Sequence, residues 1–278
     1  MTQFDQKMLS RLSTKGIPSS EFEQLLDEPL ELSLELMSAQ GIEFIQKEDR
    51  FFFATVVSAI NDTEFCIVDI ETNGSKPQRD QIIEIGAVKV KNHTIIDTYE
   101  SLVQCDSISK HISEITGISV VDTFHAPELK RVMEEFRLFL GSAVFVAHDV
   151  KFDYSFISTV MQRISLEPLL NRSLCTIDMA ERTIESRRYG LAYLNEQLEL
   201  YKEATHHRAL SDAITTVKLF KRSLQYIPNT IESAEELIRF SKESEKVRRP
   251  DILVVKDKKK EEASAYSSEK APTEISLL

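Results

Sequence analysis

FCIVDIE, residues 65–71, runs apolar for four positions and then alternates acid, apolar, acid. Its Phe and β-branched residues mark a buried strand. Side chains two apart on a strand share a face, so Asp69 and Glu71 point the same way near the strand's end. The segment holds no cation to neutralise them. Burying two like charges is costly unless a metal or another cation compensates. The plainer alternative is a strand end that has reached solvent.

Working outward, QIIEIGAVKV (81–90) and IIDTYESLV (95–103) read as the next two strands, joined tightly at KNH. A helix is expected over 126–140, a second buried strand at AVFVA (143–147), and a helix from Phe152 to Ile164. A short strand near SLCTI, two short helices and a helix from Asp212 to Leu224 complete the region. Strands that meander and then alternate with helices imply an α/β fold with a mixed sheet covered by helices.

Two further acids stand where such a sheet presents its site. Asp153 follows the AVFVA strand by one turn and enters a helix start, where the helix dipole alone would favour it. Asp149 reads as an N-cap. Ligands of mixed sheets nevertheless bind beyond the carboxyl ends of strands, which is where Asp153 and Glu71 both fall. In HHRALSDAITTVKLF (206–220), Asp212 opens an amphipathic helix and His207 lies five residues earlier, in the preceding loop. A lone His is commonly structural, but its pKa suits proton transfer near neutrality. Glu84, an acid within an apolar strand, is read as structural.

Taken in order, VDIETNG (68–74), QIIEIGAVKV (81–90), ITGIS (115–119), VAHDVKFD (146–153) and HRALSDA (207–213) resemble the motifs of the DEDDh 3′→5′ exonucleases. The likeness runs over about 62–228 and is nearest to the proofreading epsilon subunit of bacterial DNA polymerase III. One departure is Asp149, where that family commonly has Asn after the His. The resemblance implies a ribonuclease H-like fold and two Mg²⁺ or Mn²⁺ ions held by Asp69, Glu71, Asp153 and Asp212. It implies His207 as general base, preferred over His206 on spacing, and nucleoside 5′-monophosphate as product. Hard divalent cations favour such oxygen ligands, and a pair of them clamps an in-line displacement. Amides around Thr72, Asn73 and Gly74 are expected to position the terminal nucleotide. Phe152 stacks on its base or packs in the core.

Composition frames these readings. The chain has 278 residues and a net charge of −11, which on its face argues against a polyanionic partner. A locally basic surface or bound cations would reconcile the two, and the resemblance favours cations. Cys66, Cys105 and Cys175 are scattered, with no CxxC pair, as suits a reducing cytoplasm, and Cys66 and Cys175, in apolar runs, read as core thiols. No apolar run approaches the roughly 20 residues of a membrane span, so no membrane partner is expected.

Three regions are expected. Residues 1–60 hold helices near 20–26 and 29–39, closed by Gly41, and then a hairpin turning at Lys47 to Arg50, which together resemble a small winged-helix module. Its five bases against ten acids argue for a structural or docking role rather than DNA binding. Residues 62–228 carry the exonuclease motifs. Residues 229–278 hold one helix, stopped before Pro250, and a charged, Ser-rich tail ending in EISLL, expected to be disordered. That tail is a candidate dock for a polymerase III catalytic subunit or a sliding clamp. The expected substrate is single-stranded or frayed 3′ ends of DNA in proofreading or repair. An RNA-processing exonuclease and a non-catalytic accessory module are the alternatives.

Overall fold

The computed structural model describes residues 5–247. The expected strand at residue 65 is β4 (Phe65–Thr72), the centre of a five-stranded sheet. It pairs antiparallel with β5 (Ile82–Lys91), which pairs antiparallel with β6 (Thr94–Leu102). On its other side it runs parallel to β7 (Val144–Ala147), and β7 runs parallel to β8 (Ser173–Cys175). The sheet order is therefore β6-β5-β4-β7-β8. Asn92 and His93, both at positive φ, form the two-residue β5–β6 turn, a geometry that matches strand twist.

Strand alternation sorts the core into two layers. Cys66, Val68 and Ile70 of β4 pack with Ile85 and Ala87 against α6 (Leu129–Leu140) and α7 (Val150–Arg163). Phe65 and Ile67 face the opposite way, with Val88 and Val90. They pack against α8 (Thr176–Thr183), α10 (Ala209–Leu224) and α11 (Ala234–Glu243). Phe65 meets Phe220 of α10 with ring centroids 5.0 Å apart. Each such fully buried apolar side chain contributes roughly 1.5–3 kcal/mol relative to exposure. Asp69 and Glu71 fall on the α10 side by the same alternation.

Helix α10 begins at Ala209, three residues before the expected start, so Asp212 sits in its first turn rather than opening it. The expected helices 126–140 and 152–164 appear as α6 and α7. The loop between β6 and α6 adds two short helices that the sequence reading passed over, α4 (Lys110–Thr116) and α5 (Val120–Thr123). The two short helices expected after SLCTI are α8 and α9 (Leu191–Leu198), and α9 packs with α8 and α10.

The N-terminal residues form α1 (Gln6–Leu12), α2 (Ser19–Glu23), α3 (Leu30–Ala39) and a small sheet. Its strands β1 (Ile17–Pro18), β2 (Phe44–Lys47) and β3 (Arg50–Phe53) lie in the order β1-β3-β2. Gly41, at φ +98°, closes α3 as expected. α1 and β1 lie outside the helices and hairpin expected from the sequence. This unit has its own core around Phe22, Phe51 and Phe53. It is fastened to the larger domain at Glu235 of α11, which has 1% of its surface exposed. Glu235 accepts hydrogen bonds from Thr55 and from the Arg172 guanidinium, which lies 4.6 Å from the centre of the Phe53 ring. The expected disordered tail and its EISLL terminus lie outside the described residues. Among the described residues, no helix is long and apolar enough to cross a membrane.

Candidate active site

Strand β4 outruns its neighbour. Its parallel pairing with β7 ends at Ile67, so Asp69 to Thr72 project past the end of β7. Beyond that end the chain turns through His148 and Asp149 into α7. Asp149 is left-handed (φ 84°, ψ 63°), a conformation that Asn and Asp tolerate best among residues with a side chain. The Asp149 side chain makes no cap bond.

His148 anchors this turn. One ring nitrogen lies 2.9 Å from Thr176 Oγ1 and the other 2.7 Å from the Tyr189 carbonyl. Burial pushes its pKa down to about 4, so the ring is neutral and acts as a strut. Asp153, one turn into α7, is 5% exposed and lies on the same helix face as the core residues Val150, Ile157 and Val160. Burial raises its carboxyl well above the ordinary range, with Asp149 and Glu71 adding to the effect. The amides of Asp153 itself and of Ile70, on the strand edge that β7 leaves open, work the other way.

Asp69 is opposite Gly86 on β5, and Glu71 is opposite Glu84. The register then slips between Glu71 and Thr72, a bulge of the kind that re-aims side chains beside sites. Gly86 has no side chain for a physical reason. A Cβ there would stand 2.2 Å from the Leu210 amide nitrogen and 2.4 Å from the Ala209 carbonyl carbon. The start of α10 therefore rests directly on β5, which delivers Asp212 to the acids of β4. Asp69 is raised well above the ordinary range, first by burial and then by Asp153, Asp212, Glu71 and Glu84. Glu71 is pushed up to about 7 by burial, with Asp212 and Glu84 adding and Arg208 opposing. Asp69, Glu71, Asp153 and Asp212 thus feel one another's charge at a single end of the sheet.

His207 is exposed and left-handed at φ 59°. Its amide donates to Asp212 Oδ2 at 2.9 Å. Ligand atoms of Glu71, His207 and Asp212 lie within 4.8 Å of one another. His206 also arrives, with Nδ1 3.5 Å from Asp212 Oδ1. Asp212 Oδ1 is buried and has no hydrogen-bond partner, although such groups are normally paired. A divalent cation fits this donor set: clustered hard oxygens, mutual repulsion, and one buried oxygen left unsatisfied.

The loop after β4 differs from expectation. The Asn73 amide donates to the Gln81 carbonyl at 3.0 Å and so is not free for a nucleotide. Asn73 is a brace: its Nδ2 donates to the Ser107 carbonyl and its Oδ1 accepts from the Gln81 amide. Thr72 and Gly74 are half-buried beside it. The small size of Gly74 accommodates Asp80, whose carboxylate would lie 2.3 Å from a Cβ at 74. Phe152 is 39% exposed, with its ring 5.6 Å from Phe156, and so lies at the surface as well as against the core.

Sequence reasoning missed the cation of this site. Arg208 donates to both oxygens of Glu84, which has no exposed surface. An acid in an apolar strand, paired opposite Glu71, was the available signal.

The comparisons with known proteins agree with the geometry. Residues 66–220 match the RNase T family of exonucleases. The chain is 35% identical over 169 residues to the PolC-type DNA polymerase III of Thermotoga petrophila. It is likewise 35% identical over 201 residues, 71% of this chain, to that of Caldanaerobacter subterraneus subsp. tengcongensis. The matched stretches are 12% and 14% of those polymerases, so the chain spans only a small part of their length. Among solved structures, exonuclease X in complex with 5′-overhanging duplex DNA is 25% identical with a TM-score of 0.51. That match covers 64% of this chain and 99% of exonuclease X. Exonuclease I of E. coli, at 16% identity and a TM-score of 0.55, covers 60% of this chain and shares the fold. The chain belongs to the RNase T exonuclease family, whose members are hydrolytic nucleases, and is of the DEDDh type that its motifs resemble.

Proposed function

We propose that this protein is a metal-dependent 3′→5′ exonuclease that removes nucleoside 5′-monophosphates from DNA ends, in proofreading or repair alongside a DNA polymerase III. The observation that carries the proposal is the cluster of Glu71, His207 and Asp212, whose ligand atoms lie within 4.8 Å of one another, with buried Asp212 Oδ1 making no hydrogen bond and His206 Nδ1 3.5 Å from it. The PolC-type relatives and the DNA held by exonuclease X support the choice of DNA.

In this reading Asp69, Glu71, Asp153 and Asp212 hold two Mg²⁺ or Mn²⁺ ions. Bound there, the ions supply neutralisation of the scissile phosphate and activation of the attacking water. His207 takes the proton of that water at a ring nitrogen. Its exposed loop position leaves the ring free to do so, while its amide is tied to Asp212. Phe152 offers an exposed face for the terminal base, a contact that tolerates any sequence. Asn73 fixes the loop that borders the site. The acidic balance of the chain is then no obstacle, because the cations meet the phosphate.

The test offers purified protein 3′-labelled single-stranded DNA, mismatched duplex and RNA, with Mg²⁺, Mn²⁺ or chelator. Metal-dependent release of labelled mononucleotide from DNA supports the proposal, and release from RNA alone contradicts the choice of substrate.

A further inference from the structure

Glu84 contributes to the charge of the acidic cluster, yet its own carboxylate is turned to a different task. It has no exposed surface and lies directly across the strand pair from Glu71. Arg208 Nε donates to Oε1 at 3.0 Å and Nη2 to the same oxygen at 2.7 Å. The Ala209 amide donates to Oε2 at 2.9 Å. Three successive residues are thereby fixed by two carboxylates: His207 through its amide on Asp212, Arg208 through its fork, and Ala209 through its amide on Glu84.

The fixed segment carries the chemistry. His207 holds a left-handed backbone at φ 59°. For a residue with a Cβ this conformation is strained. Such strain persists only where the surroundings over-determine it. Asp212 follows within the first helical turn. Gly86 lets this junction lie against β5, and Glu84, two residues away on the same strand face, holds it there. A buried carboxylate held by two guanidinium nitrogens and a backbone amide is a directional clamp rather than a diffuse ion pair.

We propose that Glu84 is a positioning residue. By clamping Arg208 and the first amide of α10, it sets the placement of the His207 ring and the Asp212 carboxylate. This rests on the exonuclease reading above.

The test compares Glu84→Gln, Arg208→Ala, Arg208→Lys and the double variant E84Q/R208A, with Asp69→Ala as the inactive control. Cleavage of a 3′-labelled single-stranded oligonucleotide is followed well below each Tm. The expected result is a kcat loss of roughly 10- to 100-fold with KM within about threefold, as for a displaced catalytic group. Mn²⁺ affinity, read by calorimetry without substrate, is expected to weaken about tenfold. Because the two residues act as one unit, the double variant is expected to be no slower than the worse single variant. Folded Glu84→Gln and Arg208→Ala proteins with unchanged kcat and Mn²⁺ affinity would overturn the proposal. Should Glu84→Gln not fold, Arg208→Lys decides, since it keeps the cation and loses the fork; unchanged kcat there has the same force. If the wild type releases no nucleotide, the exonuclease reading fails, and Mn²⁺ affinity alone then decides the positioning role.

Discussion

Gly86 and Leu210 meet at a distance no side chain survives: a Cβ on Gly86 would lie 2.2 Å from the Leu210 amide nitrogen. Two facing backbones cannot yield as a flexible side chain would. Gly86→Ala is therefore expected to push the start of α10 off the sheet. Overpacking of this kind costs about 1–3 kcal/mol. Thermal unfolding would read the loss as a lower Tm. Nucleotide release should fall further than Tm suggests, because Asp212 moves with the helix.

Charge repulsion among the acids predicts a trade between stability and activity. Asp69 is raised by burial and by four neighbouring carboxyls. Asp69→Asn removes one ionisable group from that cluster without changing its shape. Without metal, the variant is expected to melt several degrees higher than the wild type. With Mg²⁺ it is expected to release no nucleotide. A lower Tm in chelator would contradict this account of the cluster.

The same shifts fix a pH dependence. Glu71 stands near 7 in the folded protein against an ordinary 4.5. The folded state therefore binds the proton more tightly, and stability falls as pH rises from about 4.5 through about 7. His148, pushed down to about 4, has the opposite sign: its contribution is present above its ordinary 6.5 and is lost as pH falls toward 4. Melting curves with and without Mg²⁺ separate the two, since His148 is common to both. The Mg²⁺-induced rise in Tm is expected to grow from pH 5 to pH 8, and a rise that shrinks would contradict the assignment.

Glu235 tests the fastening of the N-terminal unit. Its buried carboxylate holds Arg172 and Thr55. Breaking a buried pair by removing one partner costs about 3–5 kcal/mol. Glu235→Ala is expected to expose the segment joining the units at 54–62 to limited proteolysis before the exonuclease domain itself is cut.

Much of this architecture could be read from local pattern. FCIVDIE and AVFVA announce themselves as apolar runs, and α6 and α7 as periodic helices of 12 and 14 residues. The four acids stood out because charge is rare beside buried strands. Short elements escaped: β1 has two residues, α5 has four, and neither is long enough to show a period. The Glu84–Arg208 clamp escaped for another reason. Its partners are 124 residues apart, and only the folded β5–α10 contact joins them. Of the amides around Thr72, Asn73 and Gly74 expected to meet the nucleotide, that of Asn73 is satisfied by Gln81 across a loop with no periodic signature.

The central claim is that Asp69, Glu71, Asp153 and Asp212 form one cation-dependent nuclease site. The most direct measurement is release of nucleoside 5′-monophosphate from 3′-labelled single-stranded DNA by the wild type and by Asp69→Ala, each in Mg²⁺ and in chelator. Release by the wild type in Mg²⁺, and in none of the other three conditions, is the predicted result. Release by Asp69→Ala at the wild-type rate, or by the wild type in chelator, would contradict it.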